Sequence, residues 1–119
     1  MDIRVQEKEG MKIAELVGEI DGKTASAVLD ALAPLVGVGN GMIVDMSGVG
    51  YMSSAGLRML LTLYRQAAAN KCRLVLVGLS DEIEETMDTT GFLSHFTLAG
   101  DIQSGMLAIL KQGRIDGTD

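Results

Sequence analysis

The first apolar positions of the chain alternate with polar ones. Ile3-Arg4-Val5-Gln6-Glu7 and Met11-Lys12-Ile13-Ala14-Glu15-Leu16-Val17 switch between apolar and polar residues, with Lys8-Glu9-Gly10 between them. A period of two on either side of a Gly-containing turn predicts an antiparallel hairpin with one wet face. Gly18-Glu19-Ile20-Asp21 closes the second strand. From Thr24 to Leu35 the rhythm changes. Ala25, Val28, Leu29, Leu32 and Leu35 or Val36 share one helical stripe, and Pro34 predicts an end or a kink there. Gly37 to Gly41 reads as a loop.

The stretch from Gly41 to Gln66 carries the strongest signals. Met42-Ile43-Val44 is an uninterrupted apolar run, which predicts a strand covered on both faces. Ser47-Gly48-Val49-Gly50 reads as a Gly-rich connection. Ser53 and Ser54 then stand directly before Leu57, Leu60, Leu61, Tyr64 and Ala68, spaced three and four apart as on a core-facing helix. Asn70 is expected to take the left-handed position that ends this helix. Two hydroxyls therefore sit at a helix N-terminus, where free backbone N–H groups and the helix dipole favour an oxyanion.

Further on, Arg73 to Gly78 is a second buried strand, and Ser80 caps a helix that holds Ile83 and Met87 inward. That helix ends at Thr89-Thr90-Gly91-Phe92. Phe96-Thr97-Leu98 is a short last strand, and Asp101 caps a helix from Ile102 to about Lys111. Two strands and a helix, followed by three strand–helix repeats, make an α/β domain. Its sheet is mixed and mostly parallel, with an antiparallel edge from the N-terminal hairpin and about four helices. Met42–Val44 and Leu74–Val77 are expected to be adjacent, central and parallel. One domain covers residues 1–111, and residues 112–119 are expected to form a loose tail.

Composition narrows the function. A chain of 119 residues is long enough to fold alone, and with only 3% aromatic residues its core is filled by aliphatics and eight Met. A net charge of −6 argues against direct nucleic-acid binding, because a phosphate backbone needs a basic footprint. The single cysteine, Cys72, excludes an internal disulfide and fits a reducing compartment. No signal peptide and no apolar run of membrane length is visible, so a cytoplasmic protein without membrane attachment is expected.

Asp45-Met46-Ser47-Gly48-Val49 followed by Tyr51-Met52-Ser53-Ser54-Ala55-Gly56-Leu57 resembles the signature of bacterial anti-sigma-factor antagonists. These proteins are built on the STAS domain, shared with sulfate transporters, and the resemblance spans roughly residues 4 to 111. It implies that Ser54 is the phosphoacceptor, with Ser53 capping the helix while the Ser54 hydroxyl faces solvent. Two positions differ from the family pattern: Ser53 stands where many antagonists carry aspartate, and Ala55 where they carry Ser or Thr. By the same resemblance Asp21 contributes to the partner surface, and Ser53, Ser54, Gly56 and Arg58 are expected to belong to that surface too. From its position alone, Asp21 equally reads as a strand-end or capping carboxylate. Arg58, one turn beyond Ser54, either pairs with a phosphate or stays solvated. Gly56 in the first helical turn lets another surface approach closely.

The implied function is that of an anti-sigma-factor antagonist. Unphosphorylated, it would bind an anti-sigma factor that is also a serine-protein kinase and free a sigma factor. Phosphorylation of Ser54 would switch it off, and a PP2C-type phosphatase would restore it. The chain is expected to be a monomer or weak dimer. The alternative is a STAS binding or scaffold module that is never phosphorylated.

Catalysis is not expected. His95 is the sole histidine, far in sequence from either serine, and Tyr51-Met52-Ser53-Ser54-Ala55-Gly56 does not match a G-x-S-x-G elbow. No Cys/His spacing suits a metal, and neither a Walker loop nor a dinucleotide fingerprint is present, so no cofactor is expected. A phospho-aspartate receiver would need further acidic residues and a lysine at strand ends. Asp45 lacks them and is expected to bind turn amides around Ser47 and Gly48 instead.

Overall fold

The computed structural model describes residues 1–37 and 41–118, with side chains described as far as Lys111. Strand β1 (Asp2–Lys8) turns back through Glu9-Gly10 into β2 (Met11–Ile20). Both turn residues have positive φ, 53° and 81°. That is the backbone of a tight two-residue hairpin turn whose twist matches the strands it joins. Lys8 pairs with Met11 and Asp2 with Val17, so the hairpin register is unbroken.

Helix α1 (Ala25–Leu32) follows and passes into a short 3-10 turn, Ala33–Leu35. Pro34 sits in that turn, so the regular helix stops two residues before it. Beyond the loop, residues 38–40 lie outside the described residues, and Gly41, read above as loop, is already in β3 (Gly41–Met52). Then come α2 (Ser54–Ala69), β4 (Leu74–Val77), α3 (Asp81–Thr89), a 3-10 turn Leu93–His95, β5 (Thr97–Ala99) and α4 (Ile102–Thr118). Helix α4 continues past the boundary expected at Lys111, and the side chains of residues 112–119 lie outside the described residues.

The five strands lie in sequence order, β1-β2-β3-β4-β5. The β1–β2 pair is antiparallel and the other three pairs are parallel. The two apolar runs at Met42–Val44 and Leu74–Val77 are neighbours, as their lack of polar alternation requires. One face of the sheet packs Ala14, Leu16, Val44, Met46 and Leu76 against Val28 and Leu32 of α1, Leu57, Leu60 and Leu63 of α2, and Ile83 and Met87 of α3. The other face packs Met11, Ile13, Ile43, Val75 and Val77 against Met106 and Ile109 of α4. Three layers result, with seven of the eight methionines buried in them.

Three local expectations are corrected. Ser47 to Gly50 is not a connection: it belongs to β3, which runs on to Met52. The strand survives its weak β-formers because β2 continues beside it, with register shifts between Glu15 and Val17 and between Gly18 and Glu19. Each shift leaves an extra residue on β3, the geometry of a β-bulge. On α2 the inward stripe is broader than expected and ends on Ala67, while Ala68 is exposed. The left-handed residue after α2 is Lys71 (φ 56°), not Asn70, whose side-chain amide instead donates to the Gln66 carbonyl at 2.8 Å.

Candidate functional site

Strands β2 and β3 outrun the rest of the sheet. Strand β4 pairs with β3 only over Met42–Asp45, whereas β2 accompanies β3 as far as the pair Ile20 and Met52. The residues after that pair, Asp21 on one strand and Ser53 on the other, are therefore neighbours. The Ser53 N–H donates to the Ile20 carbonyl at 2.8 Å and ties the two chain exits together.

Ser53 is extended (φ −82°, ψ 177°) and its Oγ accepts from the Ala55 N–H at 3.2 Å. Its carbonyl takes the first helical bond, from the Leu57 N–H at 3.0 Å. This makes Ser53 the N-cap, as its place before the periodic segment suggested. Ser53→Ala is expected to lower stability by about 1 kcal/mol, read as a fall in the thermal midpoint.

Ser54 is the first helical residue, exposed, with no side-chain partner among the described residues. The two serines thus divide the work, one holding the helix and the other presenting a hydroxyl to solvent. The first turn of α2 carries no acidic side chain, whereas that of α3 carries Asp81, Glu82 and Glu84. The first turn of α2 thus brings no carboxylate of its own to the positive end of the helix dipole, a setting that favours an added anion.

Gly56 faces inward. A Cβ placed there would lie 2.5 Å from Met52 Cγ and 2.8 Å from Ile20 Cγ2. The close approach expected at Gly56 is that of the protein's own strand ends, so this residue seats α2 and is not itself on the surface. Arg58 is exposed one turn along the helix from Ser54.

Asp21 organises the adjoining turn. Its Oδ1 accepts from the Lys23 N–H at 2.9 Å and the Thr24 N–H at 3.1 Å. These backbone bonds hold its carboxyl below the ordinary carboxylate range, Lys23 contributing most and Thr24 next. Thr24 completes the turn: its Oγ1 accepts from the Asp21 N–H at 2.9 Å and donates to the Glu19 carbonyl at 2.8 Å. The sequence reading did not single out Thr24; the Asp21-x-x-Thr24 spacing was its signal. Asp101 is likewise lowered by the Ser104 N–H, at 2.8 Å. A carboxyl whose folded value is depressed stabilises the fold above its ordinary value and loses that contribution as pH falls through the folded value. Stability is therefore expected to drop below about pH 4. Asp21→Asn should flatten the acid limb, as seen in denaturation midpoints followed from neutral to acid pH.

Tyr51, three residues before Ser54, is 52% exposed, and Val17 on β2 is 53% exposed. Both lie on the protruding β2–β3 end, and neither was marked as a site residue from sequence. Tyr51 could have been found from its place between buried Val49 and Met52. Asp45 accepts from the Ser47 N–H at 2.9 Å, the local role expected of it. The ring of His95 rests against Tyr64 and Phe92. Among the described residues, no group of three or more His, Cys, Asp or Glu is placed to hold a metal, and no helix is long and apolar enough to cross a membrane.

With this arrangement in view, comparison with known proteins is decisive for the family. Residues 2–105 match the STAS domain. The chain belongs to the STAS-domain family. Among its relatives, BtrV of Bordetella bronchiseptica, a candidate anti-sigma factor antagonist, is 32% identical over 91% of this chain and 94% of its own length. The anti-sigma-B factor antagonist of Listeria monocytogenes is 33% identical over 76% of this chain and 82% of its own. The crystal structure of an anti-sigma factor antagonist from Mycobacterium paratuberculosis superposes with a TM-score of 0.82, covering 91% of this chain and 92% of that one at 23% identity. That last likeness is one of fold. The mixed five-stranded sheet agrees with that assignment.

Proposed function

We propose that this STAS domain is an anti-sigma-factor antagonist that works by partner switching in the cytoplasm. The unphosphorylated form binds an anti-sigma factor that is also a serine-protein kinase, and a sigma factor is released. Phosphorylation of Ser54 ends that binding, and a PP2C-type phosphatase restores it. The chain performs no chemistry of its own in this scheme. It supplies a surface made of Asp21, Ser53, Ser54 and Arg58, and its charge there changes by about −1.5 to −2 on phosphorylation.

One observation carries the reading. Ser54 is exposed at the start of α2 while its neighbour Ser53 takes the cap, so modifying Ser54 leaves the helix start intact. The names carried by the Bordetella and Listeria relatives support the antagonist part of the reading. Intact-mass spectrometry with peptide mapping, on protein purified from its own host, tests it. A phosphorylated fraction mapped to Ser54 is the expected result; phosphate absent under every growth condition would refute the switch. The serine at position 53, where family members often carry aspartate, favours a second reading as an unphosphorylated STAS scaffold, and the same measurement separates the two.

A further inference from the structure

We infer that Arg58 is the internal counter-charge for a phosphate on Ser54, an inference that rests on the phosphoserine reading above. Ser54 and Arg58 stand four residues apart on α2, and both are exposed. Residues at that spacing are neighbours on a helix surface, with Cβ atoms about 5–6 Å apart. Side chains on a helix lean toward its N-terminus, which puts the turn that carries Ser54 within reach of an arginine at position 58. An anion N-terminal to a cation at this spacing is the more favourable order. Among the described residues no carboxylate is paired with this guanidinium. Its planar fork of N–H donors matches phosphate oxygens in a way a lysine ammonium does not.

The consequence reaches the switch. Before modification Arg58 is open to solvent or to an acidic group on a partner. After modification the phosphate holds it, so a single phosphoryl group both adds negative charge and withdraws a positive one. The other ionisable groups on the elements meeting here are Lys12, Glu15 and Glu19 on β2, Asp21 and Lys23 in the following turn, Asp45 and Tyr51 on β3, Asp30 on α1, and Tyr64 and Arg65 further along α2. The Asp21 carboxylate is already engaged by backbone N–H groups.

The test uses the full chain with phosphoserine installed at position 54 during synthesis, so that no kinase is needed. Phosphorus NMR follows the second phosphate ionisation in the parent sequence, R58Q and R58K. The parent is expected to titrate about 0.3 pH unit below R58Q, with R58K in between, and the gap should close near 1 M salt. All the other groups named are common to the three proteins, so the difference isolates Arg58. Superimposable titrations of the parent and R58Q would overturn the inference. Because the phosphate is installed synthetically, this result is independent of whether the host phosphorylates Ser54. Absence of phosphate from the native protein would refute the switch alone.

Discussion

Ser54→Asp is expected to weaken binding to the cognate anti-sigma factor roughly ten- to 150-fold, a loss of about 1.4 to 3 kcal/mol, while Ser54→Ala binds like the parent. The fold should survive the carboxylate, because it is placed at the positive end of a helix whose first turn holds no other acid. Damage is confined to a complex that desolvates the site or brings acidic groups to it. Titration gives the affinity and a thermal melt of the same samples gives the stability. A Ser54→Asp protein that is unfolded, or that binds as tightly as the parent, would remove Ser54 from the switch.

Gly56→Ala has the largest effect expected on the fold itself. Alanine is better than glycine inside a helix by about 1 kcal/mol, so an open site would gain stability. Here the added methyl meets Met52 Cγ at 2.5 Å and Ile20 Cγ2 at 2.8 Å. Met52 can give way along its flexible chain, but Ile20 also has its Cβ only 3.2 Å from the added carbon and is branched there. Overpacking of this kind costs about 1–3 kcal/mol, which outweighs the helical gain. A net loss in chemical denaturation is expected. The start of α2 should shift away from the strand ends, weakening partner binding as a second effect. An unchanged or raised unfolding free energy would show that the helix start is loosely seated.

What the sequence disclosed, and what it hid, follows from how local each cause is. The hairpin, the buried strands and the phases of α1 and α3 announce themselves through periods of two or 3.6 that burial enforces. The length of β3 did not, because Ser47, Gly48 and Gly50 are turn-formers taken alone. They are held extended by β2 alongside them, a non-local partner. Ala67 and Ala68 are too alike for composition to say which faces the core. The cap at Ser53 and the exposed hydroxyl at Ser54 were legible, since both depend on the few residues that follow. The inward face of Gly56 was not, for it depends on where Ile20, thirty-six positions earlier, ends its strand. Asp21 was open to two roles from its position. Its bonds to the Lys23 and Thr24 N–H groups assign it a structural one, and any partner contact is additional.

The central claim is that the phosphorylation state of Ser54 decides whether this protein displaces a sigma factor. The most direct measurement adds the unmodified chain, and separately the chain phosphorylated at Ser54, to a preformed complex of the host's anti-sigma factor and sigma factor, and quantifies free sigma factor. The unmodified protein is predicted to release sigma in proportion to its concentration, and the phosphorylated protein to release little. Equal release by both forms, or none by the unmodified one, would contradict the account.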